Sequence, residues 1–304
     1  MKRGELVVFL LVVVLLIVPM ASASFFSDFW GKITGRATSD TTALNITIGN
    51  SAPTISFVQA ISATDPTIGT SKTITFNFTA TDSDGAGNIN TSTAAGYLQR
   101  SGETTRSNTS CSNWASSGNN VNFTCMIDMW YYDQNGAWTI NTTIRDINSA
   151  TGTNSSTTFT YNLLTAMNMS PSSLSWASVG LTATDTGSNN DPIQINNTGN
   201  DAGLNINVTA INLQGEVTTT QYIFANNFTV ESASEGCSGT AMVNATTTNV
   251  TSALLNRGNN TLNYNNDTSG QEQIYFCLKG VPQDISSQSY SSAAAGPWTV
   301  AVIT

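Results

Sequence analysis

Short runs in which apolar and polar residues take turns follow one another from residue 54 onward, each closed by turn-forming residues. A period of two puts one set of side chains on a buried face and the other in solvent, as in a half-buried strand. Six such runs occupy residues 54–61, 72–81, 94–100, 120–129, 137–146 and 157–164. Asp65-Pro66, Asp82-Ser83-Asp84-Gly85 and Asp133-Gln134-Asn135-Gly136 are among the breaks between them. A second series covers 174–179, 193–196, 204–213, 222–231, 241–246, 273–281 and 298–303. No segment after residue 36 has a convincing 3.6-residue apolar period, and residues 250–256 are the nearest short helical candidate. The pattern predicts an all-β protein of two antiparallel β-sandwiches, one over 51–164 and a second over 165–304. The first series falls one short of the about seven strands of a basic sandwich.

Residues 24–50 form an extension ahead of these domains. Phe25, Phe26, Phe29, Trp30 and Ile33 make its start apolar, and a polar stretch, 34–42, follows. In residues 43–48, Leu44, Ile46 and Ile48 alternate with Asn45 and Thr47. This strand-like segment either folds back as the missing first strand or is donated to a neighbouring copy, completing an open sheet edge there. Burying its three apolar side chains contributes roughly 5–8 kcal/mol before entropy costs. A donated strand joins two different surfaces, so the contact is heterologous and propagates as a helical fibre.

Residues 1–23 read as a secretory signal peptide. Lys2 and Arg3 precede an apolar run of 15 residues, 6–20, and Ala21-Ser22-Ala23 offers the small-residue cleavage pattern. An uncleaved anchor is the alternative, but the run is shorter than the roughly 20 residues a spanning helix needs. A pilin-type signal cut after Gly4 is another, against which Pro19 and the Ala-Ser-Ala site stand. No second such run follows, so no membrane contact is expected of the processed chain. Export also decides how the four cysteines read. Cys111 with Cys125 and Cys237 with Cys277 are expected as two local disulfides, contributing about 3–4 kcal/mol each.

Composition removes several function classes. The 304 residues hold no histidine, so Ser-His-Asp and Cys-His nucleophile pairs and His-ligated metals are excluded. With 10 Lys+Arg against 19 Asp+Glu and no basic cluster, no nucleic-acid partner is expected. Asn, Ser and Thr number 34, 35 and 46, so the polar strand faces are almost free of charge.

Fifteen N-x-S/T triplets lie at Asn45, Asn77, Asn90, Asn108, Asn122, Asn141, Asn154, Asn168, Asn196, Asn207, Asn227, Asn244, Asn249, Asn259 and Asn266. Chance alone gives about nine for this composition (34 Asn × 81/304 Ser+Thr), so placement says more than number. Asn and its Thr at i+2 share a strand face, and in 44–48, 74–81, 121–125, 138–142 and 204–209 that face is the polar one. A coat of N-linked sugar is expected there, shielding Thr- and Asn-rich edges that otherwise aggregate. Ordinary polar-out patterning with β-prone threonine is the competing explanation.

Thr81-Asp82-Ser83-Asp84-Gly85, within residues 75–90, resembles the strand-turn of Ig-like or PKD-like modules on archaeal cell-surface proteins. Pro171-Ser172-Ser173-Leu174-Ser175-Trp176, followed by Ile195-Asn196-Asn197-Thr198-Gly199-Asn200, is similar to a module of exported archaeal proteins. The overall make-up resembles subunits of glycan-coated archaeal extracellular filaments. This resemblance implies Ig-like sandwiches, a surface location and subunits joined by strand donation. The Cys…Trp…Cys framework of true immunoglobulin domains is absent, so Ig-like denotes architecture alone.

Sites of chemistry are sparse. Asp82, Asp84 and Asn88 offer oxygen ligands for calcium, yet a D-S-D-G sequence is more often a plain turn. Asp128 and Asp133 are the nearest approach to a paired-carboxylate glycosidase site. Trp114, Trp130 and Trp138 suit a carbohydrate groove or, more commonly, a sandwich core. No catalytic residue, cofactor or metal is expected. The main reading is a non-enzymatic, secreted structural subunit that polymerises with copies of itself. The alternative is a monomeric adhesin or carbohydrate-binding module pair meeting surface glycans or other cells, or a surface-layer component.

Overall fold

The computed structural model describes residues 43–233, 236–258 and 270–304; the signal region, the apolar residues 25–33, Asn259 and Asn266 lie outside them. The chain divides into two units, residues 1–49 and 50–304. In the first, the described residues 43–49 form no strand, and Leu44, Ile46 and Ile48 are 83%, 73% and 87% exposed.

The second unit begins with eight strands: β1 (Thr54–Val58), β2 (Ser71–Thr81), β3 (Ile89–Gln99), β4 (Arg106–Asn108), β5 (Ser112–Ser117), β6 (Asn120–Trp130), β7 (Gly136–Asp146) and β8 (Thr151–Tyr161). They form two antiparallel four-stranded sheets, β1-β2-β6-β5 and β4-β3-β7-β8. Alternation fixes which side chains meet: Ile74, Phe76, Phe78 and Ala80 of β2 face inward with Val121, Phe123, Cys125 and Ile127 of β6. Phe78 and Phe123 stack at 4.9 Å, and Trp138 closes the opposite sheet. This sandwich therefore lacks no strand, which corrects the count of six; β4 and β5 are the additions.

Twelve further strands follow: β9 (Met167–Ser170), β10 (Thr184–Gly187), β11 (Ile193–Asn197), β12 (Leu204–Thr209), β13 (Leu213–Gly215), β14 (Tyr222–Ile223), β15 (Phe228–Glu231), β16 (Thr240–Ala241), β17 (Thr247–Leu255), β18 (Gln271–Gly280), β19 (Tyr290–Ser291) and β20 (Thr299–Ile303). One sheet runs β16-β15-β18-β11-β9 with β10 also on β18; the facing one has three strands, β17-β12-β20; β14-β13-β19 form a third, small sheet. Residues 250–256 are not helical but fall largely in β17, and residues 174–179 form no strand and lie over the second core as an irregular cover. In residues 241–246 only Ala241, the end of β16, is strand, and the chain turns at Asn244 and Ala245. Both expected disulfides are formed, Cys111 to Cys125 and Cys237 to Cys277.

A polar seam joins the two cores. Its centre is the turn after β11, where Asn197, Thr198, Asn200 and Asp201 are all buried. Asn200 Nδ2 donates to the carbonyls of Asp133 and Asn162 at 3.1 and 2.9 Å, and its Oδ1 accepts from Leu164 N at 2.7 Å. Gly199 packs so closely that a Cβ there would meet Leu164 O at 2.0 Å. At the seam's rim Arg257 forks onto Glu103 at 2.7 and 3.0 Å and donates to Tyr132 O at 2.6 Å. Arg106 grips Asp133, and burial of that carboxyl pushes its pKa up against the pull of the guanidinium.

The entry to the first sandwich is tied by Asn50. Its Nδ2 donates to Asp146 Oδ2 at 2.7 Å, and its Oδ1 accepts from Asn88 and Asn148 at 3.0 and 2.6 Å. Asn50's donation holds the Asp146 carboxyl below the usual carboxylate range. A depressed pKa stabilises the fold above the unfolded value of about 3.9 and loses that stabilisation as pH falls through the folded value. Asn50→Ala is therefore destabilising at pH 7, and its deficit against the parent narrows near pH 3, as paired urea titrations will show. Asn200→Ala leaves buried groups unpaired and lowers stability by about 2–3 kcal/mol, read from the urea midpoint.

Candidate functional site

The second sandwich is covered less completely than the first. Met167, Met169, Leu174, Trp176, Val179, Leu213, Val281, Ile285, Tyr290, Trp298, Val300 and Val302 pack on its core while remaining partly exposed; Ile61 and Ala86 do so in the first. Many of them line one groove of about 900 Å³. Its floor is core: Ile193, Val208, Ile223, Phe228, Phe276 and Leu278. One wall is the irregular cover, with Leu174, Trp176 and Val179; the other runs along Trp298 and Val300 at β20. Trp298 is fixed by rings and backbone together, 5.1 Å from Phe228, 6.0 Å from Phe276, and donating from Nε1 to Ile211 O at 2.7 Å. Trp176 is held likewise, 5.1 Å from Phe228 and bonded to Thr186 O at 3.0 Å.

The geometry at β20 explains the opening. β20 pairs with β12 on one side and with no other strand among the described residues. On the central strand β12 the inward side chains Leu204, Ile206 and Val208 are fully buried. On β20 the inward Val300 and Val302 are only half-buried, because no strand lies beyond them. The trough is apolar at its floor and polar at its rim, where Ser172, Ser173, Ser175, Ser286, Ser287 and Gln288 stand. An unpaired, alternating edge beside it suits main-chain pairing with an extended peptide.

The sequence-derived sites are distributed as follows. Cys237 and Cys277 lie beside Asp185, but both sulfurs are committed to the disulfide. Asp82 accepts from Asp84 N at 2.9 Å and Asn88 Nδ2 at 3.3 Å, and Asp84 accepts from Ser51 N at 2.7 Å, so the three calcium candidates form a hydrogen-bonded turn. Asp128 and Asp133 have separate partners, Thr73 and Arg106. Trp138 is a core residue, Trp130 stacks on Tyr132 at 5.8 Å, and Trp114 stands 62% exposed on edge strand β5.

Thirteen of the fifteen sequon asparagines fall among the described residues. Asn45, Asn168, Asn244 and Asn249 are exposed; Asn77, Asn90, Asn108, Asn122, Asn141, Asn154, Asn196 and Asn227 are half-buried. Asn207 departs from the expected solvent-facing register: it is 8% exposed and accepts from Asn249 Nδ2 at 3.0 Å. The cause is its place on β12, flanked by β17 and β20. Neither the groove nor the seam was visible as a motif, although Ile195–Asn200 stood out in the sequence and its turn now lies at the seam's centre.

No protein-family model and no curated protein matches the chain. Among solved structures, a partial N-terminal region of an enterococcal surface protein is similar over 81% of this chain and 88% of its own, at 9% identity and a TM-score of 0.17. A likeness of that size carries no argument about this chain, whose fold class rests on its own sheets. Trp298→Ala removes two ring contacts and a hydrogen bond from the groove wall, and lowers stability by about 3–5 kcal/mol in urea denaturation.

Proposed function

We propose that the protein is the repeating subunit of an extracellular, N-glycosylated filament, in which residues 43–48 of one copy fill the groove beside β20 of the next. The observation that carries this reading is a match between two incomplete parts. Leu44, Ile46 and Ile48 form an alternating apolar row left exposed, and the second sandwich has a trough of core residues next to an unpaired edge. A strand added at β20 would raise the three-stranded sheet to four strands, the size of both sheets of the first sandwich.

The physical terms favour an extended occupant of this kind. Three branched side chains spaced two apart reach along about 13 Å of strand and enter one face. Their burial contributes roughly 5–8 kcal/mol, and pairing to β20 satisfies edge groups that otherwise invite non-specific association. Donor and acceptor are different surfaces, so the association is head-to-tail and open-ended. The disulfides suit an oxidising, extracellular setting, as does the resemblance to exported cell-surface modules. Asn45 and Thr47 occupy the opposite face of the donated strand and would stay in solvent, keeping that sequon usable.

Two full-chain variants test this. Ile46→Asp removes the donor and leaves the acceptor; Val300→Asp blocks the acceptor and leaves the donor. Each alone is expected to be a folded monomer by circular dichroism and light scattering, while their mixture yields dimers and nothing longer. Filaments of parental geometry from either variant alone would overturn the assignment.

A further inference from the structure

Two sequons on the first sandwich are locked against each other. β2 and β6 pair in continuous register, which sets Asn77 opposite Thr124 and Thr79 opposite Asn122. Thr124 Oγ1 donates to Asn77 Oδ1 at 2.6 Å, and Thr79 Oγ1 donates to Asn122 Oδ1 at 2.7 Å. Each triplet thus spends its hydroxyl on the asparagine of the other. The middle residues, Phe78 and Phe123, are fully buried and stacked in the core. Asn77 is held further, its N–H donating to Gln59 Oε1 and its carbonyl accepting from Gln59 N. Beside Asn122, the Cys111–Cys125 disulfide closes a loop that contains the whole triplet.

We infer that Asn77 and Asn122 are a paired glycosylation site that takes sugar only before β2 and β6 meet, and that folding seals it. The inference rests on the reading of the protein as N-glycosylated. The reaction joins the anomeric carbon of an activated glycosyl diphosphate to Asn Nδ2. The C–O bond to the leaving diphosphate breaks with its electron pair, and Nδ2 gives up one proton to a base. The acceptor triplet is defined by its hydroxyl residue as much as by its asparagine, so a transferase needs that hydroxyl and a tripeptide free of its neighbours. In the folded sheet both hydroxyls are engaged, and presenting either triplet as a free extended peptide requires parting the eleven registered residue pairs and extracting a core phenylalanine. Once attached, sugar is compatible with the sheet: both Nδ2 atoms point from a half-buried outer face, and the Oδ1 atoms alone serve the cross-strand bonds. Asn244 is the internal contrast. Its triplet also has bonds, Thr246 Oγ1 donating to Asn244 O at 3.3 Å and Asn212 N to Asn244 Oδ1 at 2.8 Å. All three residues are nevertheless exposed and outside any strand, so no ladder must part to free them.

The test uses the full chain, produced without sugar, as folded oxidised protein and as urea-unfolded reduced protein diluted into the assay. Both are given an oligosaccharyltransferase and its lipid-diphosphate-linked oligosaccharide, and occupancy is followed by glycopeptide mass spectrometry. Asn244 is expected to be modified in both states. Asn77 and Asn122 are expected to be modified in the unfolded sample, and at least about a hundredfold more slowly in the folded one, because the ladder must open first. Similar rates at Asn77 and Asn122 in the two states would overturn the sealed pair. Absence of sugar from every site in both samples and in native material would instead overturn the glycosylation reading itself.

Discussion

Every inward-facing side chain of a sandwich must be met by another layer, and this requirement organises the whole molecule. In the first sandwich it is satisfied internally: two four-stranded sheets cover Phe76, Phe78, Phe123 and Trp138 without remainder. In the second it is satisfied less completely, and beside β20 Val300 and Trp298 line a trough instead of meeting a strand. Among the described residues, Leu44, Ile46 and Ile48 form an apolar row left exposed. Exposed apolar surface of this kind on a soluble protein normally marks an interaction surface. In the proposed assembly, donor and acceptor are two expressions of the same unmet requirement.

The two cores need the seam between them to act as one body. Its chemistry is polar, with Asn200 using both donor hydrogens and its acceptor and Arg257 clasping Glu103 and a backbone carbonyl, while the Thr198 hydroxyl is buried there without a partner among the described residues. An apolar junction of the same extent would hold in many orientations. Hydrogen-bond geometry at buried groups accepts few.

Legibility in the sequence tracked burial on one face only. β2, β6, β7 and β18 carry large apolar residues at alternate positions and were readable almost to their ends. β5, with sequence SNWASS, is an edge strand whose side chains are nearly all exposed, so no alternation announces it. β17 misled for a different reason. Its pairing with β12 slips at a bulge and Ser252 has a positive φ, so the inward residues Val250, Ala253 and Leu255 lose the period of two and imitate a helix. Residues 174–179 kept enough alternation to suggest a strand, but Ser178 also has a positive φ and the segment packs through Trp176 without a ladder. The turn chemistry at Asp82 was readable, whereas the groove was not. An unoccupied place in a layer leaves no residue of its own in the sequence.

In the proposed filament each subunit would be a link in a chain under tension, and Asn50 gains another meaning there. Pull applied through residues 43–48 reaches the sandwich at the Asn50 side chain, whose bonds go to Asp146, Asn88 and Asn148. Asn88 ends the short turn that leads into β3, while Asp146 closes β7 and Asn148 follows it. β3 and β7 are neighbours in one sheet, so in the proposed filament load would pass to that sheet before β1, which belongs to the other. β1 pairs antiparallel with β2, so a pull along it would load that ladder in shear. The small amide would then act as a strain relief, delaying the load on edge strand β1.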